Sequence, residues 1–271
     1  MTNSSMKTIT WNMRRAKKGS SAWSYFNELN PDIALLQEVT SYPESLSNTY
    51  SILFCKAFTK DGTEQSFGTA IFIKGGSLEV IPFLAKEAWV NNELTRLQGN
   101  ILPVTITLPN GKNINIVNVY SPAWPIDRKR LAGINLDYLK SELTKDIWAI
   151  DLVQAVLRNQ DLEETDWILG GDLNSSVTFD TKFPVGLRNN QEILDRLKQN
   201  YGLVECLHFK QGKLTPTFKS NKTKKVVDQI DHIFVKESML PRVRTCIIGD
   251  QERVFGASLS DHLPIILDLE I

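Results

Sequence analysis

The chain has 271 residues, an ordinary apolar share of 42%, and 31 basic residues against 31 acidic ones, so its formal net charge is zero. That balance excludes a global attraction to nucleic acid or to an anionic membrane and leaves only local attraction. The three cysteines, Cys55, Cys206 and Cys246, are odd in number, far apart and without Cys-x-x-Cys spacing, which argues against a disulfide framework and against a zinc site.

The length suits one large α/β or β-rich domain over residues 1–271. The opening Met1-Thr2-Asn3-Ser4-Ser5-Met6-Lys7 lacks the apolar run of a secretory leader, and no later segment is long and apolar enough to span a bilayer. A reducing cytoplasm, with no membrane anchor and no obligate protein partner, is the expected setting.

In chain order, residues 7–12 read as a first strand and 21–30 as a helix stopped by Asn30-Pro31-Asp32. Residues 33–39 form a continuous apolar strand of the kind buried on both faces. Residues 51–56, 68–74 and 78–83 are further strands. Val104, Ile106 and Leu108 alternate with Thr105 and Thr107, and Ile114 and Ile116 follow Pro109-Asn110-Gly111-Lys112. That pattern predicts a hairpin with a type I′ turn at Asn-Gly. Leu136, Leu139, Leu143, Ile147, Ile150, Val153 and Leu157 recur at helical spacing and predict one helix over 134–158. A strand at 167–172 and a helix at 191–199, stopped by Asn200-Tyr201-Gly202, come next. Strands at 230–235, 243–248 and 264–269 complete the chain. Hairpins with few helices and no strict βαβ alternation predict sheets packed on each other with helices outside. No internal repeat, low-complexity tract or linker interrupts the pattern.

Several of these apolar runs end in a polar residue that gains nothing for a core. They are Ile9-Thr10-Trp11-Asn12, Leu35-Leu36-Gln37-Glu38, Val117-Asn118-Val119-Tyr120 and Ile168-Leu169-Gly170-Gly171-Asp172-Leu173-Asn174, joined near the end by Ser260-Asp261-His262-Leu263-Pro264. Converging on one sheet edge, such termini make a metal and phosphate site. Carboxylates and amides are hard oxygen ligands suited to Mg²⁺, with Mn²⁺ as a substitute. Glu38, helped by Asn12 and Asp261, is the expected metal site. Asp172 is placed to take a proton from attacking water, and Asn174 to hold that water or the phosphate. His262, as imidazolium, would stabilise phosphate charge, with Asp231 orienting the ring and Tyr120 donating its hydroxyl. Strand alternation turns His232 away from the Asp231 side, so His232, like His208, reads as structural. Taken singly, each residue has a bland alternative: a solvated strand end for Glu38, turn chemistry for Asp172-Leu173-Asn174, a cap for Asp261. The joint pattern favours the site. The tryptophans, Trp124 among them, read as core or rim.

The ordered set Thr10-Trp11-Asn12, Gln37-Glu38, Asn118-Val119-Tyr120-Ser121-Pro122, Gly170-Gly171-Asp172-Leu173-Asn174, Thr215-Pro216-Thr217-Phe218, Asp228-Gln229-Ile230-Asp231-His232 and Ser260-Asp261-His262-Leu263-Pro264 resembles the endonuclease/exonuclease/phosphatase superfamily. That superfamily includes deoxyribonuclease I, exonuclease III-type enzymes, deadenylases, sphingomyelinases and inositol polyphosphate 5-phosphatases. The resemblance implies a four-layer α/β sandwich, with two packed, mostly antiparallel sheets flanked by helices, and Mg²⁺-dependent cleavage of a phosphoester. It implies the same roles for Asn12, Glu38, Asp172, Asn174, Asp231, Asp261, His262 and Tyr120. Tyr120 stands where deoxyribonuclease I-like members use histidine, which leans toward the exonuclease III-like side. Arg14 stands where those enzymes show an acid or amide, and no Trp-Arg-Ile-Asp-Tyr-like stretch precedes Asp231, which argues against a dedicated abasic-site endonuclease.

Three basic clusters lie in loops beside the expected site strands: Arg14, Arg15, Lys17 and Lys18; Arg128, Lys129 and Arg130; and Lys219, Lys222, Lys224 and Lys225. Backbone binding to nucleic acid needs such local charge. Arg14, Arg128, Arg130, Lys222 and Lys224 are therefore the expected substrate contacts, and the leading expectation is a nuclease acting on DNA or RNA. A phosphatase or phosphodiesterase of a phosphoinositide, sphingomyelin-like lipid or other small phosphorylated molecule is the alternative. A non-catalytic binding module ranks last, because every core position of the motif set is filled.

Overall fold

Period-two burial organises the strands that carry the polar termini. In β1 (Ser5–Ala16), Met6, Thr8, Thr10 and Asn12 share one face, and Ile9, Trp11 and Met13 the other. In β2 (Ile33–Val39), Ile33, Leu35 and Gln37 alternate with Ala34 and Leu36. The computed structural model describes residues 5–139, 146–182 and 189–271. The remaining strands are β3 (Tyr50–Phe58), β4 (Glu64–Lys74), β5 (Ser77–Val80), β6 (Ile101–Thr107), β7 (Asn113–Tyr120), β8 (Asp166–Asp172), β9 (Leu203–Glu205), β10 (Phe218–Lys219), β11 (Val226–Asp228), β12 (Asp231–Lys236), β13 (Val243–Ile248) and β14 (Ile265–Glu270). The helices are α1 (Ala22–Leu29), α2 (Ala88–Arg96), α3 (Ala149–Leu157), α4 (Val177–Lys182), α5 (Asn190–Tyr201) and α6 (Cys206–Gln211).

Two six-stranded sheets result, in the orders β13-β14-β1-β2-β4-β3 and β5-β6-β7-β8-β12-β9. Each contains one parallel pair, β1–β2 and β7–β8, among antiparallel neighbours. The sheets pack face to face through Leu35, Ile71 and Leu267 on one side and Ile116, Ile168 and Ile233 on the other. Trp23 and Phe26 of α1 cover the outer face of the first sheet against Trp11 and Phe72. Val90, Val153 and Leu197, from α2, α3 and α5, cover the outer face of the second against Leu169 and Phe234. The architecture is the expected four-layer α/β sandwich, two mostly antiparallel sheets between helices.

Three local expectations are corrected. Among the described residues of the helix expected over 134–158, only Ala149–Leu157 is helical. Ahead of it Ile147 lies outside any helix, its carbonyl accepting from Ile126 N–H, while Asp137 N–H bonds Asn135 Oδ1 in a turn. Leu139 and half-buried Leu136 reach the core from turns, so helical spacing there reflects burial without helix; Leu143 lies outside the described residues. The β6–β7 hairpin forms, but only Gly111 has positive φ (82°), and its N–H bonds Leu108 O at 2.8 Å. A type I′ turn at Asn-Gly needs positive φ at both residues, and Asn110 does not have it; the chain instead turns through Pro109-Asn110, where proline's fixed negative φ suits the first central position, and closes on a left-handed glycine. α2 escaped notice because, besides Val90, its buried face is Glu93, held by Arg130 at 2.7 and 2.8 Å. No helix among the described residues is long and apolar enough to cross a membrane.

Candidate active site

The two parallel pairs end at one rim. β1 and β2 deliver Asn12 and Glu38 there, and β7 and β8 deliver Tyr120 and Asp172. β12 starts at the same rim with Asp231, and Asp261 and His262 lie just ahead of β14. Register fixes part of the arrangement before any side chain is considered: Tyr120, Asp172 and Asp231 are direct partners across three strands. Residues opposite one another point to the same face, and for these strands that face is the one toward the other sheet.

The side chains interlock. Asn12 Nδ2 donates to Asp172 Oδ2 at 3.0 Å and to Glu38 Oε1 at 3.3 Å, and so bridges the sheets. Tyr120 Oη donates to Glu38 Oε1 at 3.1 Å. Asn174 N–H donates to Asp172 Oδ1 at 2.9 Å, while its Nδ2 reaches Ser121 O at 2.6 Å. His262 Nδ1 lies 3.0 Å from both oxygens of Asp231, and Thr217 Oγ1 donates to Asp231 Oδ2 at 2.7 Å. Nδ1 is thus turned to the interior, leaving Nε2 as the ring nitrogen available to the cavity. Ser260 Oγ donates to Asn12 O and accepts His262 N–H, and Trp11 Nε1 holds His262 O, which ties the loop before β14 to β1. Below the rim, Gln37 Nε2 donates to Asn118 Oδ1 at 2.7 Å, and Asn118 Nδ2 reaches Ala70 O at 2.9 Å, a buried polar layer between the sheets.

Backbone strain concentrates at this rim. Arg14, Arg15, Glu38 and Asn174 all have positive φ, at 48°, 58°, 51° and 47°. Such conformations cost on the order of 1 kcal/mol or more each in a residue other than glycine, and they persist where surrounding contacts over-determine them. The consequence at Glu38 is direct. Strict alternation would put it beside Ala34 and Leu36, facing α1. Its left-handed turn breaks the pleat and brings the carboxylate to Asn12 and Tyr120 instead. Gly171 solves a different problem: a Cβ there would stand 1.8 Å from Val119 O, so only glycine lets β7 and β8 pair this closely beside Asp172.

Burial sets the protonation of the catalytic candidates. Burial is the strongest influence on Asp172 and raises its pKa to about 7, offset in part by the charge of His262. Burial alone would lower the pKa of His262, but the Asp231 charge and hydrogen bond, with help from Asp172, overcome it and raise the value to about 10. Burial and the Glu38 charge push the Tyr120 phenol up, so it remains a donor. The ligand atoms of Asp172, Asp231 and His262 lie within 4.8 Å of one another, a possible acid–histidine cluster.

A cavity of about 530 Å³ opens over this rim. Arg14, Glu38, Tyr120, Asp172, Asn174, Asp261 and His262 line it, with Asp231 buried behind His262. Lining residues that the sequence did not single out are Arg15, Phe218, Asn221 and Trp124. Arg15 stood only within a basic cluster, and Phe218 only at the end of Thr215-Pro216-Thr217-Phe218; Asn221 carried no signal. Four expected substrate contacts lie outside the lining. Arg128 pairs with Asp146 at 2.7 Å, and Arg130 is held in a fork by Glu93. Lys222 and Lys224 are exposed in the β10–β11 connection. His232 is buried, with Nε2 2.8 Å from Ser175 O.

The profile of the Endonuclease/Exonuclease/phosphatase family matches residues 9–262. No curated protein matches. Among solved structures, the chain is similar to an AP endonuclease from Archaeoglobus fulgidus, at 18% identity and a TM-score of 0.68 over 98% of this chain and 100% of that one. It is similar to the AP endonuclease LMAP from Leishmania major, at 17% identity and 0.66 over 98% and 88%. It is also similar to a 3′ phosphatase from Neisseria bound to product DNA hairpin, at 16% identity and 0.66 over 98% and 100%. At these identities the solved structures share the fold. The matched segment runs from Ile9 in β1 to His262 at the rim, through both sheets, and the chain therefore belongs to the endonuclease/exonuclease/phosphatase family.

Proposed function

We propose that this member of a phosphoesterase family is a divalent-metal-dependent hydrolase of phosphodiester bonds in nucleic acid, with Mg²⁺ as the cation and Mn²⁺ as a working substitute. The observation that carries the reading is the Thr217–Asp231–His262 chain of hydrogen bonds set beside buried Asp172 and the carboxylates of Glu38 and Asp261, with Asn12 bonded to Glu38 and Asp172.

Glu38, Asn12 and Asp261 would hold the cation. Their donors are all oxygens, which suits a hard ion. Guanidinium groups already stand 3.7 Å from Glu38 and 3.8 Å from Asp261, so the rim attracts positive charge. The Asp172–Asp231–His262 cluster fits an ion less well, because the Asp231 carboxylate is fully buried and already taken by His262 and Thr217. A bound divalent cation would polarise a phosphoryl oxygen and neutralise charge on the leaving group.

Asp172 accepts a proton from the attacking water, a task suited to a carboxylate whose pKa lies near neutrality. Asn174 holds Asp172 through its backbone N–H and shapes the floor through Ser121. His262, charged at neutral pH, donates from Nε2 to a non-bridging phosphate oxygen. Asp231 is a positioning residue that keeps the ring oriented and protonated. Tyr120 steadies Glu38 and offers its hydroxyl toward the phosphate. Arg14 binds substrate charge at the mouth, and Lys222 and Lys224 extend that field; Arg128 and Arg130, engaged with acids, contribute less. Nucleic acid is favoured by these cations and by the solved neighbours, two AP endonucleases and a 3′ phosphatase bound to a DNA hairpin. The same reading takes residues 1–271 as one catalytic domain. With three free thiols, Cys55, Cys206 and Cys246, it works in a reducing cytoplasm.

The test is purified protein with Mg²⁺, Mn²⁺ or EDTA against labelled single-stranded DNA, duplex DNA and RNA, with His262→Ala as control. Metal-dependent cleavage lost in the variant supports the reading. Hydrolysis confined to a small phosphodiester or a phosphoinositide, with all three polymers intact, overturns it.

A further inference from the structure

Beyond Asn12, β1 carries Arg14, already placed at the mouth, and next to it Arg15, which the reaction above leaves unused. Immediately after Asn12 its register with β2 slips, resuming only at Ala16 with Val39. Arg14 and Arg15 fall inside that slip, both left-handed, so two successive side chains swing to the cavity instead of alternating. The conformation is pinned: Asn12 Oδ1 accepts Arg14 N–H at 2.9 Å, and Thr40 Oγ1 donates to Arg15 O at 3.1 Å. The Arg15 guanidinium lies 4.7 Å over the Phe67 ring, and Phe67 meets Tyr120 edge to face at 5.9 Å.

Neither guanidinium is committed where it rests. Arg14 Nε stands 3.8 Å from Asp261 Oδ2 and Arg15 Nε 3.7 Å from Glu38 Oε2, beyond hydrogen-bond range, with side chains 47% and 65% exposed. Their carboxylate partners are the two expected to hold the cation. When those acids serve a cation, both guanidinium forks become available to an anion in the cavity. With His262 they place three cationic donor groups in the lining of one cavity. A phosphodiester carries one negative charge and two non-bridging oxygens, whereas a terminal phosphate carries close to two charges and three such oxygens.

We infer that Arg14 and Arg15 form a clamp that makes a terminal phosphomonoester at a nucleic-acid end the preferred substrate over an internal phosphodiester. The inference rests on the phosphoesterase site above and moves its preferred bond from the internal diester to the terminal monoester. In the step, the water oxygen bonds to phosphorus, and its proton passes to Asp172. The ester P–O bond breaks, and the departing oxygen takes a proton, returned through solvent from the protonated Asp172, to become a hydroxyl as inorganic phosphate is released. No oxidant or co-reactant is needed. Arg15 is the new specificity residue. Phe67 positions it.

The experiment follows two products from one oligonucleotide bearing a 3′-phosphate, and from its 5′-phosphorylated counterpart: inorganic phosphate and shortened chains. Wild type, Arg14→Ala, Arg15→Ala and Arg15→Lys are compared in Mg²⁺. Wild type should release phosphate with a kcat/KM about tenfold or more above that for internal cleavage, and each alanine variant should lower that ratio by about tenfold. Lysine, which keeps charge but not the fork, should restore part of it. Calorimetric binding of inorganic phosphate to the Mg²⁺-loaded protein should weaken in parallel, a readout independent of turnover. Both arginines are exposed, so melting temperatures should stay near wild type and confirm folded variants. A wild-type enzyme that cuts chains without releasing phosphate, or a ratio and a phosphate affinity unmoved by the variants, overturns the clamp and leaves the phosphoesterase reading standing. Wild-type protein that acts on neither end nor chain overturns both.

Discussion

Replacing Asp231 with asparagine separates charge from shape at the site. Asparagine keeps an acceptor for the Thr217 hydroxyl and nearly the same volume, so the fold should survive. What disappears is the charge that outweighs the burial of His262. In wild type that ring has its pKa raised to about 10 from an ordinary 6.5 and is charged throughout the neutral range. Even a ring that kept the ordinary value, without the depression that burial brings, is charged in roughly one molecule in ten at pH 7.5, and in roughly one in a hundred at pH 8.5. If the imidazolium stabilises the phosphate, the kcat of Asp231→Asn should fall by about tenfold at pH 7.5 and about a hundredfold at pH 8.5, relative to wild type. The sign follows from which form works: the protonated ring is active, so lowering its pKa moves the alkaline limb of the profile down, and acidifying the assay restores activity. Steady-state hydrolysis of a labelled oligonucleotide in Mg²⁺ from pH 6 to 9 measures this. Nitrogen chemical shifts of the His262 ring supply a direct check, because wild type should be doubly protonated at pH 7.5. A variant with the wild-type rate and an unmoved alkaline limb would refute the role assigned to the pair.

Four other outcomes are expected. Asp172→Asn should lower kcat by about 10²–10⁴-fold with an unchanged circular dichroism spectrum, since the proton acceptor is lost together with one of the two oxygens that accept from Asn12 and Asn174; wild-type turnover would remove Asp172 from the mechanism. Glu38→Gln should weaken Mn²⁺ binding, followed by calorimetry, by about tenfold or more, and an unchanged isotherm would place the ion elsewhere. Gly171→Ala forces a Cβ to within 1.8 Å of Val119 O, so chemical denaturation should show a loss of about 3 kcal/mol or more, and a loss under about 0.5 kcal/mol would contradict the β7–β8 packing. Lys222→Glu with Lys224→Glu should raise the KM for a polynucleotide and flatten its salt dependence by about one to two in slope. If neither changes, the loop is only solvated surface.

The period-two runs made most strands legible, with 33–39 and 243–248 recovered to the residue, because alternation and continuous apolar runs are imposed by burial itself. The polar strand ends were legible for a complementary reason. A carboxylate or amide finishing a buried strand has no use in the core, and so Asn12, Glu38, Tyr120 and Asp172 stood out before any geometry was known. What burial imposes on a turn and on a helix looks the same at a spacing of three or four residues, which is why Leu136 and Leu139 read as helical. A face buried partly through an ion pair, like Glu93 beside Val90 in α2, leaves only a broken apolar trace.

Long-range pairing decided the rest. The sequence alone determined which residues carry acid, amide and imidazole chemistry at strand ends, because that pattern is local and conflicts with burial. Only the tertiary structure decided that Glu38 leaves its expected face, that Arg128 and Arg130 are held by Asp146 and Glu93, and that Arg14 and Arg15 turn together into the cavity. These outcomes depend on a slipped register between β1 and β2 and on partners far away in sequence. Local propensity contains neither, since a left-handed arginine is unfavourable on its own and exists only because the contacts around it leave no alternative.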